Sequence, residues 1–231
     1  MSKPRQSTAG WIVEYIGTQG VGKTTLNNAL YKSLRSDWFF RSDLGQTGPI
    51  TAAPGMIERL HRDIYFQKIE YLRSKQVDPW ESITVTRQMS RVMSESLTIL
   101  TNDFPRGFIM DESLFKNFPR EVLKLASDTP DPLWRNRAFI HLCTRDPDLV
   151  ISRYQSRVAK RARRGLMQVP PADEDVRTRV EEDKALFDKI TERAKAFGCP
   201  VIVLYAEDDT QVNIRKILDF EKTIRTGAIT G

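Results

Sequence analysis

Gly17-Thr18-Gln19-Gly20-Val21-Gly22-Lys23-Thr24 is the stretch that decides the fold. It fits G-x-x-x-x-G-K-[ST], a pattern whose glycines let the backbone curl until successive N–H groups point at one anion. The flanks have the required character. Trp11 to Ile16 is a mostly apolar run of strand length, and Leu26, Ala29, Leu30 and Leu34 then recur at helical spacing. A strand, a glycine turn and a helix in register aim a helix N-terminus at phosphate. Lys23 is expected to reach the β- and γ-phosphates of a bound nucleotide. The Thr24 hydroxyl is expected to hold Mg²⁺, a hard ion that prefers oxygen. Gly17, Thr18, Gln19, Gly20, Val21, Gly22, Lys23, Thr24 and Thr25 therefore form the expected nucleotide site, with ATP and Mg²⁺ as cofactors.

Further short apolar runs follow downstream. Trp38-Phe39-Phe40 is one, closed by Ser42-Asp43-Leu44-Gly45. Gly107 to Met110, Ala138 to Leu142 and Val201 to Tyr205 are others. Gly45, Gly48, Pro49, Pro54 and Gly55 mark residues 45–55 as a loop. Between the strands lie helical patterns: Ile57 to Lys75, Val85 to Leu100, Val176 to Phe197 and Val212 to Phe220. Met89 and Met93 sit on such an apolar stripe and read as core. Apolar strands alternating with helices predict an α/β fold, a five-stranded parallel sheet with helices on both faces, in one domain spanning 1–231. Residues 225–231 read as a frayed tail.

Composition narrows the function classes. Two cysteines exclude a disulfide framework and a four-cysteine zinc site, and two histidines do not suggest a histidine-rich metal centre. His61, His141, Cys143 and Cys199 are expected to pack or lie at the surface. No export signal or spanning segment is legible, so the expectation is a cytoplasmic protein away from membranes. The net charge is +6. Between Leu149 and Pro171 stand Arg153, Arg157, Lys160, Arg161, Arg163 and Arg164, with no acid among them. These six equal the whole excess, so the charge reports a local anionic ligand rather than a generally basic surface.

Two further sites complete the reading. Asp111 closes the strand Gly107 to Met110 and is the expected second magnesium-side group, with Glu112 beside it. The stretch Thr144-Arg145-Asp146-Pro147-Asp148 leads into Arg153-Tyr154-Gln155-Ser156-Arg157. Here the chain resembles the P-loop small-molecule kinases, the superfamily of nucleoside monophosphate, deoxynucleoside and thymidylate kinases. The resemblance runs from Trp11 to about Ile224. It implies that Arg153 and Arg157 are paired catalytic arginines and that 153–171 is a mobile lid carrying Arg161 to the nucleotide. It implies too that Asp43, closing the second strand, is the acid that orients or deprotonates the acceptor. Arginines on a closing lid would stabilise an anionic transition state and exclude water.

One departure matters. Those kinases carry an arginine after the third-strand acid, whereas here Glu112 follows Asp111. A cationic contact near the acceptor is missing, so nucleosides, nucleotides, sugars and other hydroxyl metabolites all stay open as acceptors. The alternative is a P-loop ATPase or nucleotide switch whose basic segment binds nucleic acid. Tyr154 is the one aromatic interleaved with the basic run, which disfavours base stacking. A guanine-reading Asn-Lys-x-Asp run and a Leu-Ser-Gly-Gly signature are both missing. The oligomeric state is open, a homodimer included.

Overall fold

The computed structural model describes residues 8–46, 55–75, 79–125, 133–162 and 172–226. Five strands form one sheet: β1 (Ile12–Ile16), β2 (Trp38–Phe40), β3 (Gly107–Met110), β4 (Arg137–Cys143) and β5 (Val201–Tyr205). Their order is β2-β3-β1-β4-β5, and every pairing is parallel. Parallel strands need crossovers, which the helices supply: α1 (Lys23–Leu34), α2 (Gly55–Ser74), α3 (Pro79–Thr101), α4 (Leu114–Asn117), α5 (Pro119–Lys124), α6 (Pro147–Ala162), α7 (Asp173–Ala196) and α8 (Thr210–Thr226).

The layers follow from strand alternation. Val13 and Tyr15 of β1, with Ala138, Ile140 and Leu142 of β4, face a cluster built from Leu26, Leu30 and Leu34 of α1 and Ile217 and Ile224 of α8. Ile16 and Phe139 point the other way, onto Ile64 of α2, Met89 and Val92 of α3, and Phe187 and Ile190 of α7. Both sheet faces are covered, which is why β1 and β4 are buried at every position. Met89 and Met93 are buried, as their stripe predicts. One pair breaks the apolar rule. Glu14 and Arg137, on adjacent central strands, form an ion pair with each side chain at most 2% exposed.

The differences from the sequence reading are local. Between Met110 and Leu125 two short helices appear where no periodicity was legible. Ser113 caps α4, its hydroxyl accepting the Lys116 N–H at 3.3 Å, and Pro119 opens α5. Residues Arg41–Gln46 form a 3₁₀ turn, and the rest of the expected loop, 47–54, lies outside the described residues. The expected tail is corrected at its start. Arg225 and Thr226 belong to α8, where the Arg225 Nε lies 2.6 Å from Glu221 Oε1, an i, i+4 pair.

Candidate active site

Strand β1 lies between β3 on one side and β4 on the other, so successive crossovers leave in opposite directions. The carboxyl ends of β1, β3 and β4 therefore open a crevice, the usual ligand position in an open α/β sheet. The phosphate-type loop fills its floor. Gly17, Gly20 and Gly22 have φ of 124°, 100° and 106°, a region that side chains with a Cβ rarely adopt. Gly17 is also fixed by space, since a Cβ there would meet the Leu142 carbonyl oxygen at 2.1 Å. Helix α1 starts directly after Gly22, with no side-chain cap and no acid in its first turn. Its leading N–H groups are left for an anion.

Lys23 is buried within this loop. Its Nζ donates to the carbonyls of Gly17 at 2.5 Å and Thr18 at 2.7 Å. Burial pulls its pKa down to about 7, and the nearby Lys116 ammonium adds to this, while Glu112, Asp183 and Asp111 oppose it. Thr24 Oγ1 donates to Asp111 Oδ2 at 3.4 Å, so the two expected magnesium-side oxygens meet across α1 and β3. Hard oxygen donors at this spacing, beside a cradle of N–H groups, fit Mg²⁺ with a nucleotide phosphate. Thr25 is exposed on the next position of the helix.

The two sequence-matched arginines differ. Arg153 reaches back from α6 to the loop and donates from Nη1 to the carbonyls of Val21 at 3.0 Å and Gly20 at 3.4 Å. It braces the loop from outside. Arg157 lies one turn on and is exposed. Lys160 is exposed as well, and the side chain of Arg161, with residues 163–171 and their Arg163 and Arg164, lies outside the described residues.

Asp43 is corrected. Its Oδ2 accepts the Phe40 N–H at 2.7 Å, capping the 3₁₀ turn, and it lines a separate groove with Tyr31, Arg35 and Arg106. The cleft that opens on the loop, about 620 Å³, is lined by Gly17 and Gln19, by Lys68 and Tyr71 of α2, by Gln88 and Met89 of α3, and by Arg179 and Asp183 of α7. A larger groove of about 1120 Å³ between α5 and α7 touches no residue of the loop.

Gln88, Lys116, Asn117 and Asp183 line this cleft and were not singled out by the sequence, whereas Glu112, already named beside Asp111, stands behind Lys116 and Asn117. Glu112 is gripped by Lys116, with Asn117 Nδ2 at 3.4 Å, and Gln88 Nε2 donates to Asn117 Oδ1 at 2.8 Å. Burial pushes the Glu112 carboxyl up, but the Lys116 charge, these hydrogen bonds and Lys23 together outweigh it and hold the group below its ordinary value. Asp183 has the opposite environment. Burial raises its pKa, against partial opposition from Arg179, Lys23 and Arg120, and no described residue holds it by a hydrogen bond or ion pair. Two carboxyl groups thus face the Lys23 field, one tied down and one with no such partner among the described residues. Beside the loop, Glu207 fastens the turn after β4. Its Oε1 accepts from Thr144 Oγ1 at 2.5 Å, Arg145 N at 2.8 Å and Asp146 N at 3.1 Å. The Arg145 guanidinium lies over the Tyr205 ring at 3.6 Å.

No known family pattern and no curated protein matches the chain. Solved structures do. Deoxyadenosine kinase from M. mycoides with bound dATP superposes with a TM-score of 0.48 at 15% identity, covering 91% of this chain and 99% of its own. Shikimate kinase from Bacteroides thetaiotaomicron gives 0.42 at 16% identity, covering 92% and 98%. At that distance the similarity is one of chain path, and the chemistry has to be argued from the loop and the cleft.

Proposed function

We propose that the protein is an ATP- and Mg²⁺-dependent kinase that moves the γ-phosphoryl group to a small-molecule acceptor bound in the cleft above the loop. The observation that carries this reading is the continuity of the two: Gly17 and Gln19 belong to both the phosphate loop and the cleft wall. An ATPase that delivers phosphate to water needs no such second chamber, whereas a kinase does.

The roles follow from position. The curled backbone of residues 17–22 and the N-terminus of α1 bind the phosphates. Lys23, once drawn from the carbonyls of Gly17 and Thr18, balances the charge that develops on the transferred group. Thr24 and Asp111 would hold Mg²⁺, which would supply charge neutralisation to the phosphates. Arg153 keeps the loop's shape by holding Gly20 and Val21. Asp183 is the acid best suited to orient the acceptor hydroxyl or take its proton. It has no hydrogen-bond or ion-pair partner among the described residues, is half-buried, stands above its ordinary pKa and lies within the field of Lys23. Glu112, committed to Lys116, is the weaker candidate. The segment 153–171, which starts within α6, is assigned the closing lid on the strength of its charge and its place in the sequence.

The test is ADP release with ATP, Mg²⁺ and a panel of nucleosides, nucleotides, sugars and hydroxy acids. Release that depends on one acceptor class and disappears in Lys23→Ala supports the proposal. Hydrolysis indifferent to every acceptor would remove it.

A further inference from the structure

The carboxyl end of β4 carries a second group of side chains that phosphate binding does not use. His141 and Cys143 are two residues apart on one strand, so both point to the face covered by α7. Asp188 of α7 meets them there. One ligand-capable atom from each of the three lies within 4.8 Å of the other two. His141 is 2% exposed and Cys143 8%, while Asp188 is half-buried, on the solvent side. Composition alone gives these residues packing roles; the fold brings them together.

We propose that His141, Cys143 and Asp188 bind a borderline-soft divalent cation of the zinc type, with water in the fourth position. The donor set is one nitrogen, one sulfur and one oxygen, which suits such an ion and not magnesium or calcium. Metal–ligand bonds of about 2.0–2.3 Å put tetrahedral ligands about 3.4 Å apart. The observed spacing closes to that by side-chain adjustment, and Asp188 provides the route from solvent. Thr191 Oγ1 lies 2.9 Å from His141 Nδ1 and orients the ring, as partners of metal-bound imidazoles do.

A cysteine–histidine–acid nucleophile is the rival use of these residues. It fails on chemistry. Burial and the Asp188 charge push the thiol up to about 11, so no thiolate is available. The nitrogen that an orienting acid would hold faces Thr191 instead. Metal binding needs no pre-formed thiolate, because the cation displaces the proton. The thiol S–H breaks, a metal–sulfur bond forms, one proton leaves per ion at pH 7, and nothing is oxidised or reduced. Lys184 already donates to Asp188 Oδ2 at 2.9 Å, and the cation takes over this carboxylate from the ammonium.

The site would join β4 to α7. His141 pairs in register with Ile16, the residue before Gly17, and α7 carries Asp183 and Arg179 to the cleft about one and a half and two and a half turns before Asp188. A bound cation would therefore pin the helix that forms one cleft wall, without sharing any ligand with the phosphate loop. The inference does not depend on the kinase reading.

Titration of the full chain with Co²⁺, a spectroscopic substitute for Zn²⁺, tests it. Near-ultraviolet thiolate-to-cobalt absorption and tetrahedral visible bands should saturate at one ion per chain. They should vanish in Cys143→Ser, require at least tenfold more Co²⁺ in Asp188→Asn, and persist in Cys199→Ser. Zn²⁺ should bleach the bands and release about one proton per ion. Absence of the thiolate band, or its survival in Cys143→Ser, overturns the proposal. Should Cys143→Ser fail to fold, alkylation of the wild-type thiols decides: Zn²⁺ must protect Cys143 and leave Cys199 unaffected, and equal rates with and without Zn²⁺ refute the site.

Discussion

Removing the Glu14 carboxylate by Glu14→Gln gives the largest single stability loss expected from this structure. Glu14 and Arg137 are 1% and 2% exposed, so neither has access to water once its partner is gone. Glu14 Oε2 also accepts the Phe115 N–H at 3.4 Å, and the Arg137 guanidinium lies 5.1 Å from the Phe115 ring centre. The pair thus fixes β1 to β4 and anchors the start of α4, whose Lys116 and Asn117 line the cleft and hold Glu112. An uncompensated buried charge costs about 3–5 kcal/mol. At about 2–4 °C per kcal/mol for a chain of this size, the melting temperature should fall by about 6–20 °C. Replacing both partners with apolar residues, Glu14→Leu with Arg137→Met, should recover most of that loss, because desolvation of two charges is removed together with their attraction. Thermal unfolding of the wild type, Glu14→Leu, Arg137→Met and the double variant forms a complete cycle, with Glu14→Gln as the isosteric control. A drop below about 2 °C in the single variant, or a double variant as unstable as the sum of the singles, would refute the claim that this pair is desolvated and coupled.

Three other outcomes are expected. Asp183→Asn should lower acceptor-dependent turnover by about 10²–10⁴-fold, the range for a lost general base, while Asp43→Asn should change it less than threefold; steady-state kinetics of the two variants separate the acids. Gly17→Ala should abolish nucleotide binding in equilibrium titration, since the added carbon would meet the Leu142 carbonyl at 2.1 Å. The third concerns pH. Free Lys23 titrates near about 7, below its unfolded value, whereas bound phosphate favours its ammonium form. Above pH 7 the complex holds more protons than the free protein, so ATP affinity should fall as pH rises, by at most tenfold per unit. Calorimetry in buffers of different ionisation enthalpy should detect proton uptake on binding at pH 8, and release instead would contradict this assignment.

How much of this was legible in the sequence depended on the kind of signal. Strands β2, β3 and β5 could be bounded to the residue because each is a short apolar run cut off by polar or glycine residues. The phosphate loop was legible because glycine, lysine and threonine are fixed there by backbone geometry and charge. Glu14 passed unnoticed inside β1 because a one-letter interruption in an apolar strand does not reveal a partner 123 positions away on β4. Helices α4 and α5 are too short for periodicity, so Lys116 and Asn117 had no assigned place. Arg153 was found by spacing, but its grip on the loop carbonyls follows from how α6 packs. Asp43 shows the converse. Its position after the second strand suggested chemistry, and the structure shows its Oδ2 accepting the Phe40 N–H, a turn contact that spacing alone does not reveal. Asp183 could not be singled out among the acids of α7, because a helix rich in charge on its outer faces does not say which one turns toward the cleft.

The central claim is that the γ-phosphoryl group leaves ATP for an organic acceptor in the cleft. Following ATP labelled in its γ-phosphate, with Mg²⁺ and the acceptor that best promotes ADP release, measures this directly. The account predicts that the label appears on the organic product, and that Lys23→Ala and Asp111→Asn suppress it. Label recovered only as inorganic phosphate, whatever acceptor is supplied, would contradict it.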